Sequence, residues 1–169
     1  MKSCARFIAL AFALVMSAGL LFAQSDKTAV LTSAELKKSV PSTYFFRGQT
    51  STVQIRNSGG LRVGKDQLVL AALVDTAGYA QDIAQKYQGL FITETKLKVG
   101  GTDLPPGEYG FGFNADGKFR VMDVGANEVL ATDIQSDAQR RRPVPLTLIE
   151  NAGEYRLYAG KKYVVIKVD

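Results

Sequence analysis

The chain predicts a mainly β fold: an antiparallel β-sandwich or small partly closed β-barrel, with one short helix at about residues 78–88 and a helical turn near 33–39. Three observations predict it. Residues 67–76 form a nearly unbroken apolar run of strand length, as in a strand buried on both faces. Several segments alternate apolar and polar residues with the period of two that a half-buried strand requires. Two C-terminal segments share one pattern, Gly107-Glu108-Tyr109 and Gly153-Glu154-Tyr155. Each opens a strand, reaches a Gly-Lys turn and continues into a second strand.

Taken in order, Ala29 to Thr32 reads as a short strand, and Ser33 offers a cap for a helical turn that Pro41 ends. Ser42 to Phe46 is β-rich. Thr50 to Arg56 alternates around Val53 and Ile55, and Asn57-Ser58-Gly59-Gly60 reads as the turn that closes it. After the apolar run, Ala80, Ile83, Ala84 and Tyr87 fall on one helical face, Asp82 and Lys86 form an i,i+4 pair, and Gly89 is a stop. Leu90 to Val99 reads as one alternating strand, and Gly100 to Gly107 as a turn-rich link. The two hairpins follow, expected to form an antiparallel meander. Between them lie a strand at Glu128 to Thr132, an exposed excursion from Asp133 to Arg142, and a strand whose start is restricted by Pro143 and Pro145.

Residues 1–23 carry the pattern of a secretory signal peptide, with Lys2 and Arg6 flanking an apolar stretch from Phe7 to Phe22 that ends at Ala23. Cleavage there leaves residues 24–169 as one mainly β domain, exported to the periplasm or outside the cell, with no stable membrane span. Cys4 precedes the apolar stretch, so it does not fit a lipid-anchor site, and the mature chain has no cysteine for a disulfide. With Lys2 and Arg6 removed, 19 basic residues stand against 16 acidic ones, a net charge of +3. That excess favours solubility and a weak attraction to anionic envelope surfaces. It falls short of a nucleic-acid footprint, so no nucleic-acid partner is expected.

The absent residue types narrow the chemistry. The chain contains no histidine, which together with the lack of mature cysteine excludes Ser-His-Asp triads, Cys-His dyads, HExxH metalloproteases and the usual zinc sites. Ser-x-x-Lys does not occur either. Asn114-Ala115-Asp116-Gly117 begins like a calcium loop but lacks the closing glutamate, and a hairpin turn accounts for it. No catalytic residue, metal or cofactor is therefore assigned. Paired carboxylates drawn from Glu94, Glu108, Asp123, Glu128 and Glu154 are the one enzymatic route composition leaves open.

Two features suggest binding. In Tyr109-Gly110-Phe111-Gly112-Phe113 the period of two sets three aromatic rings on one face and two glycines on the other. This is the wall of a ligand cavity or, alternatively, a core stripe whose glycines relieve crowding. Arg140, Arg141 and Arg142 form the one basic cluster, suited to a phosphate, a carboxylate or an anionic headgroup, or simply a solvated loop. The expected function is an exported non-catalytic β-domain binding an apolar or amphipathic ligand in the cell envelope. A structural or protein-interaction module of the envelope is the alternative, and a carboxylate hydrolase the third.

Overall fold

The computed structural model describes residues 27–168, so the expected leader at residues 1–23 lies outside the described residues. In chain order the elements are β1 (Ala29–Val30), α1 (Ser33–Ser39), β2 (Thr43–Phe46), β3 (Gln49–Val63), β4 (Gln67–Val74), α2 (Gln81–Ala84), β5 (Gly89–Thr93) and β6 (Leu97–Val99). They continue with β7 (Thr102–Leu104), β8 (Gly107–Phe113), β9 (Lys118–Met122), β10 (Glu128–Asp133), β11 (Gln135–Ser136), β12 (Thr147–Asn151), β13 (Glu154–Ala159) and β14 (Lys162–Val168). All strand pairs are antiparallel. One sheet runs β1-β3-β4-β5-β8-β9-β10, with β2 also on β3, and the other runs β12-β13-β14-β6-β7, with β11 on β14. The two sheets stay separate, which makes the fold a β-sandwich and not a barrel.

The apolar run at 67–76 sits where its pattern requires. β4 pairs with β3 on one side and β5 on the other, and its side chains are buried on both faces. Val69 and Ala71 enter the core between the sheets, with Phe91, Phe111, Phe119, Leu148, Leu157 and Ile166. Leu70 and Ala72 enter a second core on the outer face of the larger sheet, covered by Leu36 of α1, Tyr44 and Phe46 of β2, and Tyr79 and Tyr87 from the segment around α2. In that second core Phe46 stacks on Tyr87 with centroids 3.9 Å apart, and the Tyr79 hydroxyl donates to the Phe46 carbonyl at 3.0 Å.

Four expectations are corrected. Asn57-Ser58-Gly59-Gly60 is not a turn, because β3 runs through it for 15 residues. Its glycines serve close approach: a Cβ on Gly59 would overlap the backbone nitrogen of Leu148 in the opposite sheet, and one on Gly60 would meet the Val69 carbonyl at 2.7 Å. The alternating segment Leu90 to Val99 is two strands, β5 in one sheet and β6 in the other. Thr93 breaks it, since its hydroxyl donates to the Thr95 carbonyl at 2.6 Å, while the Glu94 carboxylate accepts from the Leu68 amide at 2.7 Å. The helix is a single turn, Gln81–Ala84, because Gln88 joins the sheet. The Gln88 amide donates to the Phe111 carbonyl at 2.8 Å, and its side chain accepts from the Phe113 amide at 2.9 Å and donates to that residue's carbonyl at 3.1 Å. The two similar hairpins, finally, do not form one meander: β8–β9 belongs to the larger sheet and β13–β14 to the smaller.

Strand β8 shows why its glycines are needed. A Cβ on Gly112 would overlap the Lys86 carbonyl, and one on Gly110 the ring of Phe46, so residue types with side chains would push the outer cover off the sheet. Gly59→Ala and Gly112→Ala are each expected to cost roughly 1–3 kcal/mol of stability through overpacking. Phe111→Ala is expected to cost roughly 3–5 kcal/mol. Urea unfolding measures all three, with a shifted midpoint and unchanged slope for each variant.

Candidate functional site

The open side of the sandwich lies where β3 and β12 meet α1. Helix α1 is capped by Thr32 and not, as expected, by Ser33, which is its first residue; in the capping box the Glu35 amide donates to Thr32 Oγ1 at 3.3 Å and the Thr32 amide donates to Glu35 Oε2 at 2.9 Å. Glu35 Oε1 also accepts from Arg62 Nη2 at 2.6 Å, which ties the helix to β3. These bonds, those to Thr32 first and the Arg62 guanidinium after them, hold the Glu35 carboxyl below its ordinary pKa.

Opposite α1, β3 bulges. Its register on β4 jumps from Gln54 opposite Leu73 to Ser58 opposite Ala72, which leaves Ile55, Arg56 and Asn57 without partners in that strand. The bulge is fixed internally, with Ser58 Oγ donating to the Ile55 carbonyl at 2.6 Å and Asn57 Nδ2 donating to Gln54 Oε1 at 2.8 Å. Such bulges re-aim side chains at sheet edges. Here Ile55 and Arg56 point into a hollow of about 470 Å³ between α1 and the bulge, shared with Ser33, Leu36 and Lys37. A second hollow of about 520 Å³ adjoins it through Leu36, Arg56 and Ser58, and extends along Val144, Leu146 and Leu148 at the start of β12. Both volumes fall in the range of about 300–1,000 Å³ that ligand pockets occupy. The floor is aliphatic, while exposed Lys37 and Arg56 stand at the rim.

The residues singled out by sequence fall elsewhere. Tyr109, Phe111 and Phe113 are buried between the sheets. Phe111, Phe113 and Phe119 pack edge-on or tilted with centroids 4.8–6.2 Å apart, and the Tyr109 hydroxyl donates to the Pro105 carbonyl at 2.9 Å. The glycine side of β8 is occupied by Phe46 and the Lys86 carbonyl. Of the arginines, Arg140 lies over the Tyr158 ring at 4.1 Å, and Arg141 and Arg142 are exposed. The cleft itself was not found by sequence reading. Ile55 was visible as an apolar position, but only the bulge, a property of pairing with β4, turns it toward α1.

Four of the five candidate carboxylates are individually engaged. Glu94 accepts from the Leu68 amide, Asp123 from the Gly125 and Asn127 amides at 2.9 Å, Glu128 from Arg120 Nε at 2.8 Å, and Glu154 from Arg156 at 3.4 Å. Glu108 lies exposed near Tyr44. Asp116, in the hairpin turn once compared with a calcium loop, holds both Nη atoms of Arg120, at 2.9 and 2.6 Å, and that guanidinium lowers its pKa to about 2. The described residues contain no group of three or more acidic side chains placed to hold a metal ion, and none of their helices is long and apolar enough to cross a membrane. Comparison with family models, curated proteins and solved structures finds no match to this chain.

Acid should loosen this arrangement. Glu35, Asp103 and Asp116 all titrate below their ordinary values, Asp103 at about 2 because Lys96 and Lys98 donate to it. A carboxyl depressed by folding stabilises the fold above its unfolded pKa, and that contribution is lost as pH falls through the folded pKa. Thermal stability is therefore expected to decline between about pH 4.5 and 2, the span between these ordinary and folded values. Glu35→Gln should flatten the upper part of that decline in melting curves recorded against pH.

Proposed function

We propose that this protein is an exported, non-catalytic binding module for an apolar or amphipathic ligand, and that the cleft between α1, the β3 bulge and the start of β12 is its binding site. One observation carries the reading: an aliphatic floor of Leu36, Ile55, Leu146 and Leu148 beside the rim cations Lys37 and Arg56. An acyl chain laid on that floor removes apolar surface from water at about 25 cal/mol per Å². A carboxylate or phosphate at its end meets the rim cations in partly exposed pairs, each contributing up to about 1 kcal/mol. Tyr109, Phe111 and Phe113 lie in the core between the sheets and do not line this cleft.

A protein partner is the second reading, and it too has an observation. Phe45 is 56% exposed and Val124 is 43% exposed, and the turn that follows β2 is joined to that of Val124 by the Arg47 amide donating to the Val124 carbonyl at 2.8 Å. Tyr44 and Phe46, on either side of Phe45, are buried and hold it in place.

Native mass spectrometry of protein purified from an exporting host should show an added mass that denaturation removes. Dodecanoate and dodecanol serve as probes in titrations. Ile55→Glu is expected to weaken both at least tenfold, and Arg56→Gln to weaken dodecanoate alone, by two- to fivefold, the effect of roughly 0.5–1 kcal/mol for a partly exposed pair. A bare mass together with no effect of Ile55→Glu would move the assignment to the Phe45 surface.

A further inference from the structure

The loop that carries the arginine cluster is fastened to the β13–β14 turn at both ends. The Asp137 amide donates to the Lys161 carbonyl at 2.9 Å, and the Gly160 amide donates to the Val144 carbonyl at 2.9 Å. Between these bonds the loop crosses Tyr158, whose hydroxyl donates to Asp137 Oδ2 at 3.1 Å and whose ring lies under the Arg140 guanidinium. The ladder continues below: Tyr158 packs on Tyr163 with centroids 5.0 Å apart, and Arg156 lies over Tyr163 at 4.7 Å. The loop is thus laid on a fixed aromatic base, and stacking holds Arg140, which has no carboxylate partner among the described residues.

The consequence is a concentration of charge at one end of the molecule. Arg140, Arg141, Arg142, Lys161 and Lys162 gather around one turn, and none of the five forms an ion pair with a carboxylate among the described residues. The one acid built into the loop, Asp137, is occupied by Tyr158 and by the Gln139 amide at 3.0 Å. Five cations against one anion leave this tip with four net positive charges. Next to the arginines Pro143, Val144 and Pro145 are all exposed, Val144 at 41%.

We propose that this tip docks on the surface of an anionic phospholipid bilayer. Basic residues near such a surface are attracted to its headgroups over about a Debye length, and an exposed aliphatic side chain among them can enter the headgroup layer. The cations surround a projecting turn instead of lining a groove, which suits a broad charged surface better than a strand of nucleic acid tracked along its backbone. This docking does not require the cleft to be occupied.

Sedimentation with vesicles tests it, using phosphatidylcholine mixed with phosphatidylglycerol against phosphatidylcholine alone. The protein should bind the anionic vesicles, lose binding as salt is raised, and leave the neutral ones in solution. Arg141→Ala with Arg142→Ala should weaken binding about 30-fold, on the order of fivefold per charge, and Lys161→Ala with Lys162→Ala comparably. Lys65→Ala with Lys86→Ala, which removes the same charge from exposed positions elsewhere, should change it little, as should Ile55→Glu. Equal losses in the Lys65/Lys86 pair, equal binding to neutral vesicles, or tighter binding to an oligodeoxynucleotide at matched phosphate concentration would each overturn the proposal.

Discussion

Val69 and Ala71 point into one core and Leu70 and Ala72 into another, so β4 excludes water from both of its faces. A strand of that kind needs cover on two sides, and the sandwich supplies only one of them. The remaining cover comes from short pieces, namely α1, β2 and the segment around α2, none of which has a hydrophobic face large enough to be stable alone. These pieces reach the sheet because it is thin where they land: Gly110 admits the Phe46 ring and Gly112 the Lys86 carbonyl. A 3.9 Å ring stack and one tyrosine hydrogen bond then hold the cover from within.

The same requirement shapes the open side. With only two residues, β1 covers the edge of β3 at Leu61 and Arg62, and β2 covers it from Gln49 to Thr52. The stretch between them carries the bulge, and an unpaired, bulged edge beside a capped helix leaves the hollow in which Ile55 and Arg56 stand. On the far side the sheets close, with Thr132 of β10 packed on Gly100 beside β7. The cleft is therefore a by-product of how a doubly covered sheet ends.

Local pattern carried the elements whose cause is local. The β4 run, the helical turn ended by Pro41, and both glycine-turn hairpins were legible because their composition and spacing act over a few residues. Most of the misreadings have non-local causes. Asn57-Ser58-Gly59-Gly60 has turn composition, yet Gly59 answers to Leu148, almost ninety positions later in the chain. Alternation continues smoothly through Leu90 to Val99, yet a change of sheet between Thr93 and Leu97 preserves parity and so leaves no trace in a period of two. The basic cluster was visible as three adjacent arginines. That Lys161 and Lys162 join them depends on two backbone hydrogen bonds between the loop and the β13–β14 turn.

The proposed cleft and the proposed docking tip share one residue. Val144 lines the hollow beside β12, and its carbonyl is one of the two points that fasten the arginine loop to the β13–β14 turn. From Val144 the chain runs on through Pro145 and Leu146 along the cleft wall into β12, and back through Pro143 to Arg142. A surface that drew the tip against its headgroups would therefore lie beside the stretch of the cleft wall formed by Val144 and Pro145. Two features that arise from unrelated causes, a sheet edge and a stapled loop, thus meet at one residue, Val144.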